Sequence, residues 1–282
     1  MKKKNQEIVV GAYKINYDTG EVTQASGKFI TDEQLEAQRA YTERKTQHEE
    51  IHKDYGAFIW LLFEYSKELL PNIKPASLSR LIYLSTYLNY KGYLSFDNNV
   101  AITRKNIQEK LNLSKNVFSA FWKELKDNQI LTDKCGLVYL NPNIFCKGKA
   151  SNIDSDFTRI CVKGVRDIYE HTEPKAHKQL SYIFRILPYV NRRYNIVCYN
   201  PQETDITQIT PMKVTVFCEI VGYEANHAAD LIKKLGQCKY ADKAILKYLC
   251  DRCEPDNCRI FINPKVYYGG DDYKRVEVIG EF

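Results

Sequence analysis

The segment Tyr139-Leu-Asn-Pro-Asn-Ile-Phe145 returns as Phe261-Ile-Asn-Pro-Lys-Val-Tyr267: aromatic, aliphatic, Asn, Pro, any residue, aliphatic, aromatic. Weaker matches precede it in the same order. Trp122-Lys-Glu-Leu125 answers to Ile232-Lys-Lys-Leu235, Asn116 to Asn226, Ile102-Thr103 to Ile209-Thr210, and Leu81-Ile-Tyr-Leu84 to Leu180-Ser-Tyr-Ile183. In this alignment Pro211 stands at the first helical position of the second copy. Matches that keep their order while connectors change length mark an internal duplication. Two copies are too few for a solenoid, so the chain must build a pair of similar domains.

The first copy shows what each domain contains. Leu78, Leu81, Ile82, Leu84 and Leu88 recur at helical spacing, and Asn98-Asn-Val-Ala-Ile102 is a short extended piece. Thr103 caps a helix carrying Ile107 and Leu111, Asn112-Leu113 breaks it, and Ser114 caps the next. Two strands, Gln129–Thr132 and Leu137–Leu140, then flank Asp133-Lys-Cys-Gly136. Two helices joined at a tight break and followed by a hairpin outline a winged helix-turn-helix. The expected fold class is α+β, mainly α with small β-hairpins: two tandem winged helix-turn-helix domains preceded by an N-terminal hairpin and a charged helix. The expected boundaries are 1–54 for hairpin and helix, 55–150 for the first winged helix, 151–174 for a linker and 175–282 for the second winged helix. Within the first segment, Val9–Tyr17 and Glu21–Thr23 form the hairpin around Asp18-Thr-Gly20. Thr31-Asp-Glu-Gln34 is a capping box opening a helix from Asp32 to about Lys53.

On the helix over 114–127, Val117, Phe121 and Leu125 fix the apolar face. The opposite face carries Asn116, Ser119, Ala120 and Lys123, with Lys115 and Lys126 at its rim. Amide, hydroxyl and ammonium groups at helical spacing suit base edges and phosphates in a major groove. Residues 103–128 hold Arg104, Lys105, Lys110, Lys115, Lys123 and Lys126 against Glu109, Glu124 and Asp127. Asn116, Ser119 and Lys123 are therefore the expected base readers, and Arg104, Lys105, Lys115 and Lys126 the expected phosphate contacts. In the second copy Asn226, Lys233 and Lys234 occupy the corresponding face beside Asp230, which repels phosphate, so weak DNA contact is expected there.

Nine cysteines are an odd number, mostly scattered, and read as reduced thiols. Cys250, Cys253 and Cys258 with Cys238 or His227 as a fourth ligand could clamp a tetrahedral zinc, but the paired-knuckle spacing is missing and no cofactor is expected. His48-Glu-Glu-Ile-His52 matches a metalloprotease pattern on its letters alone, because its flanks lack the apolar stripe of a buried catalytic helix. There is no phosphate-binding Gly-rich loop and no Gly-x-Ser-x-Gly, so the chain does not read as an enzyme. A hydrophobic fraction of 44% and a charged fraction of 27% exclude wholesale disorder. The net charge of +6 permits a polyanionic partner without requiring one. No apolar run spans a bilayer and no signal-peptide core follows Met1-Lys-Lys-Lys4, so a cytoplasmic protein with no membrane partner is expected.

Val100-Ala-Ile-Thr103, Leu113-Ser-Lys-Asn116, Trp122-Lys-Glu-Leu125, Gly136-Leu-Val-Tyr-Leu-Asn-Pro142 and Lys147-Gly148 together resemble the winged-helix region of RepL-type replication initiators of plasmids and phages. Tyr17-Asp-Thr-Gly-Glu-Val22 is similar to that family's leading segment. The resemblance implies origin binding on a plasmid or phage genome, with double-stranded DNA as the partner. Homo-oligomerisation and contacts with host replication or transcription proteins are compatible with it. A promoter-binding transcription regulator and a non-enzymatic protein-interaction module are the alternative readings.

Overall fold

A computed structural model describes residues 7–10, 13–16, 19–24, 32–63, 69–148, 156–250, 258–270 and 276, with backbone alone for 7–10, 24, 44 and 47–55. The chain divides into two compact units, Met1–Ile51 and His52–Phe282. In the first, β1 (Glu7–Val10), β2 (Tyr13–Asn16) and β3 (Val22–Gln24) form an antiparallel sheet in that order. This is one strand more than the expected hairpin, since the Val9–Tyr17 run is broken between β1 and β2. Helix α1 (Asp32–Tyr55) runs where the charged pattern places it. Thr31 lies outside the described residues, and with it the expected capping box.

The larger unit is α+β, helices with several small antiparallel sheets, and the duplication is visible in its hydrogen bonds. The first copy contains β4 (Phe58–Leu62), α2 (Pro75–Ser85), α3 (Arg104–Lys110), α4 (Lys115–Asp127), β5 (Leu131–Lys134), β6 (Leu137–Leu140) and β7 (Phe145–Cys146). The second contains β8 (Phe157–Cys161), α5 (Val162–His171), α6 (His177–Ile186), α7 (Val214–Val221), α8 (Ala228–Gly236), β9 (Lys239–Tyr240), β10 (Lys243–Ala244), β11 (Leu246–Leu249), β12 (Arg259–Ile262) and β13 (Tyr267–Tyr268). Isolated bridges match between copies: Leu88–Leu94 with Val190–Val197, Ser95–Ala101 with Cys198–Pro211, and Tyr93–Tyr139 with Ile196–Phe261.

These bridges correct the register read from sequence. Counting back unbroken from Leu88 and Val190 puts Leu81 opposite Ile183, not Leu180. Counting on from Ala101 and Pro211 puts Thr103 opposite Lys213, not Thr210. Lys213 is indeed the N-cap of α7, as Thr103 is of α3, so Pro211 precedes the helix and pairs with Cys198. The slip in the helix is close to one turn of 3.6 residues, which keeps an apolar stripe superposed on itself and hides the error.

The repeated Asn-Pro has a structural cause. Asn141 Nδ2 donates to Gln129 O at 3.0 Å, its Oδ1 accepts from Asn143 N, and its carbonyl accepts from Ile144 N and Phe145 N. Asn263 repeats every bond, with Ala244 O at 3.1 Å, Lys265 N, Val266 N and Tyr267 N. Each clasp ties the base of a hairpin to the strand that follows. Asn141→Ala and Asn263→Ala should each cost roughly 1–3 kcal/mol, because a carbonyl and an amide each lose a partner. Equilibrium urea unfolding checks this, and either variant at wild-type stability would refute the clasp.

The strands after the clasps join one sheet in the order β13-β8-β4-β7. β4 and β8 are its antiparallel centre, with Trp60 opposite Arg159. Trp60 also faces Cys146 on β7, and Arg159 faces Tyr268 on β13, so these two residues are equivalent in the copies. A pseudo-twofold axis therefore passes through the Trp60–Arg159 pair. Helix α2 packs on α6 about the same relation. Ile59, Leu61, Ile160 and Thr158 are fully buried on the inner face of the sheet. The stretch expected as a linker, 151–174, thus carries β8 and α5. Residues 55–150 and 175–282 are not separate bodies, because the central strand pair and the α2–α6 packing fuse them.

Candidate nucleic-acid interface

Helix α3 opens on a capping box: Thr103 Oγ1 accepts from Asn106 N at 3.3 Å, and Asn106 Oδ1 accepts from Thr103 N at 3.1 Å. Asn112, with φ 47°, turns the chain into α4. Ser114 occupies the N-cap of α4, although its hydroxyl makes no capping bond. Phe118, Phe121, Trp122 and Leu125 are buried beneath α4, whereas Val117, expected with them, is 44% exposed. It lies one position before Phe118, off the stripe.

All six residues expected on the outer surface of α4 are exposed: Lys115, Asn116, Ser119, Ala120, Lys123 and Lys126. The acidic residues nearby do not all oppose them. Glu124 turns inward, accepting from Lys74 N and Ser77 Oγ at 2.7 Å each, where it caps the start of α2. Arg104 is exposed but leans on the edge of α4, its guanidinium 5.1 Å from the Trp122 ring. Lys105 reaches Glu109 at 3.8 Å, a pair so exposed that it holds the ammonium only loosely. Lys110 is directed elsewhere, 4.5 Å from the Tyr87 ring.

Beside the C-terminal end of α4, a groove of about 710 Å³ opens toward the β5–β6 hairpin and holds Lys91, Lys126 and Lys134. Lys91 and Lys134 escaped the sequence reading because they come from a loop and a strand end that only the fold brings beside Lys126. Cys135 and Gly136, at φ 52° and 76°, make the tight turn at the tip of this hairpin.

The second copy presents a different surface. Asn226 is exposed on a single 3-10 turn, Ala225–His227, ahead of α8. Lys233 and Lys234 are exposed on α8 itself. Lys234 Nζ lies 2.6 Å from Asp230, which also accepts from the Tyr223 hydroxyl at 3.1 Å. The Lys234 ammonium and the Tyr223 hydroxyl hold the Asp230 carboxyl below the usual carboxylate range, so the charges on this face largely cancel one another.

The cysteines depart from the expected reduced set. Cys250 and Cys258 form a disulfide, with Cα atoms 4.1 Å apart. The β11–β12 register, ending on Leu249 opposite Arg259, brings the next two residues face to face. That pairing removes both from a zinc set. Cys238 is buried, with its Sγ on Lys234 O at 3.7 Å, and burial pushes its thiol up to about 11. Cys253 lies outside the described residues, as do the side chains of His48 and His52. Among the described residues no three His, Cys, Asp or Glu side chains gather as a metal site, and no helix is long and apolar enough to cross a membrane. Comparison with protein-family models, with curated proteins and with solved structures finds no match for the chain.

Proposed function

We propose that this chain is a sequence-specific double-stranded DNA-binding protein, built as two winged helices fused about a pseudo-twofold axis. One observation carries the reading: the outer surface of α4 offers Asn116, Ser119 and Lys123 to solvent between Lys115 and Lys126, over a core of Phe118, Phe121, Trp122 and Leu125. A helix held rigidly from below with amide, hydroxyl and ammonium groups outward has the chemistry that a major groove accepts. Arg104, Lys105 and the groove lysines Lys91 and Lys134 extend the positive surface to either side, where phosphates of the same duplex would run. The α8 surface, with Lys234 tied to Asp230, makes the smaller contribution. A monomer would then read two unequal half-sites.

The resemblance in the α2–β7 region directs this toward origin binding by an initiator of a plasmid or phage. Electrophoretic mobility shift against fragments of the source genome at two salt concentrations tests it. The expected result is retention of one fragment with repeated sites at both salts, with random duplex lost as salt rises. Melting of an adjacent AT-rich segment supports initiation, and occupancy of a promoter without melting supports transcription control. Random duplex left unshifted even at low salt would overturn DNA binding and leave the protein-interaction alternative.

A further inference from the structure

A small polar recess of about 140 Å³ lies where the two copies meet; its lining holds none of the residues assigned to the duplex, although Asn89 and Tyr90 directly precede Lys91. Arg166 of α5 forms one wall and is held from all sides. Its Nε donates to Thr86 Oγ1 and its Nη2 to Thr86 O, both at 3.0 Å. Its Nη1 reaches both carboxylate oxygens of Asp97 at 3.0 and 3.1 Å, and the guanidinium lies 3.8 Å from the Tyr87 ring. Lys147, directly after β7, forms the other wall and is half-buried. Among the described residues it makes no ion pair; its ammonium rests 5.3 Å from the centre of the Tyr90 ring.

Two cations share this recess with one carboxylate among the described residues that line it, Asp97, which pairs with Arg166 and also acts on Lys147. Burial and the neighbouring guanidinium pull the Lys147 ammonium below its ordinary value against the opposing pull of Asp97, a cost that a bound anion would lessen. Asn89 contributes a donor: its Oδ1 accepts from Lys91 N and Tyr93 N, so the group left for a ligand is Nδ2. Tyr90, 78% exposed, stands at the mouth with an aromatic face to offer.

We propose that this recess is a phosphate site, with Lys147 and Asn89 as donors to the oxyanion, Arg166 as a fixed positive charge beside it and Tyr90 as a stacking platform for the attached base. The same chemistry would take a free phosphate, a mononucleotide or a phosphodiester of a single strand. The exposed ring beside the anion favours the strand, the arrangement by which single-stranded nucleic acid is generally held. Only this last choice rests on the nucleic-acid reading above; the anion site does not.

Fluorescence anisotropy of the full chain with a labelled oligothymidylate of about ten nucleotides tests it at low salt. Inorganic phosphate and thymidine monophosphate serve as competitors. Wild type should bind the strand. Lys147→Gln and Tyr90→Ala should each weaken binding about tenfold, while retention of a duplex bound through Lys123 stays unchanged. Thermal unfolding of each variant accompanies the titrations, and Tyr90→Ala, at an exposed position, decides the matter should Lys147→Gln not fold. Phosphate or monophosphate binding that Lys147→Gln abolishes, without strand binding, would keep the anion site and overturn the strand. Both variants indistinguishable from wild type toward all three ligands would overturn the proposal. Loss of duplex recognition alone would count against the function proposed above and leave this site standing.

Discussion

Gly164→Ala should destabilise the protein by about 3 kcal/mol, at the upper end of what overpacking usually costs. On propensity alone the change ought to help, since alanine in a helix is worth up to about 1 kcal/mol over glycine. Packing reverses the sign. A Cβ on Gly164 would lie 2.0 Å from Lys265 O and 2.9 Å from Lys265 C, both main-chain atoms that cannot swing away. The loop carrying them cannot retreat cheaply. Asn263 Oδ1 fixes Lys265 N at 2.9 Å, and Cys161 N donates to Val266 O at 3.1 Å, tying the loop to β8. Relieving the clash therefore means breaking the second Asn-Pro clasp or the edge of the four-stranded sheet. Gly236→Ala is the control: α8 ends there and a Cβ meets nothing within 4 Å, so a neutral or slightly stabilising change is expected. Urea unfolding of both variants separates the accounts, and a Gly164→Ala protein at least as stable as wild type would refute the close approach.

What could be read from the sequence, and what could not, divides along the range of the interactions. The α4 face was legible because its pattern is local: four buried apolar residues at helical spacing leave the opposite side determined. The Asn-Pro repeat was legible as letters, and its hydrogen bonds across the base of each hairpin explain why both copies keep it. The four-stranded sheet was not. β4 is an unbroken apolar run, which reads equally as buried helix or strand. β7 and β13 are two residues each, and β8 follows a polar stretch that looks like a linker. What makes them strands is pairing across long separations, such as Phe58 with Cys161, to which no local pattern points. The Cys250–Cys258 pairing was hidden for the same reason, since it depends on the register of β11 against β12. Loop insertions displaced the copies relative to one another, and only the bridges restored their alignment.

Lys123→Ala and Lys105→Ala should weaken duplex binding in different ways, a contrast drawn from their placement. Lys123 lies in the second half of α4, exposed on the same side as Ser119 one turn before it and Asn116 two turns before it. On the proposed reading a cation there would meet base edges, and removing it should cost ~1–3 kcal/mol, concentrated on the preferred sequence, with specificity relaxed at one position. Lys105 lies on α3 beside Glu109, and an exposed pair of that length gives way readily to a phosphate. Its loss should weaken binding to all duplexes alike and lower the slope of log affinity against log salt by roughly one counterion. Arg104 bears on the same distinction. Its guanidinium is steadied over Trp122, so Arg104→Ala should lower the salt slope like Lys105→Ala while also loosening the edge of α4. The measurement is binding of specific and random duplexes to wild type and the lysine variants at several salt concentrations. Identical salt slopes and identical specificity ratios in the two would refute the division of labour. Preserved affinity in Lys123→Ala at every salt would remove Lys123 from the interface and leave base reading on α4 to Asn116 and Ser119.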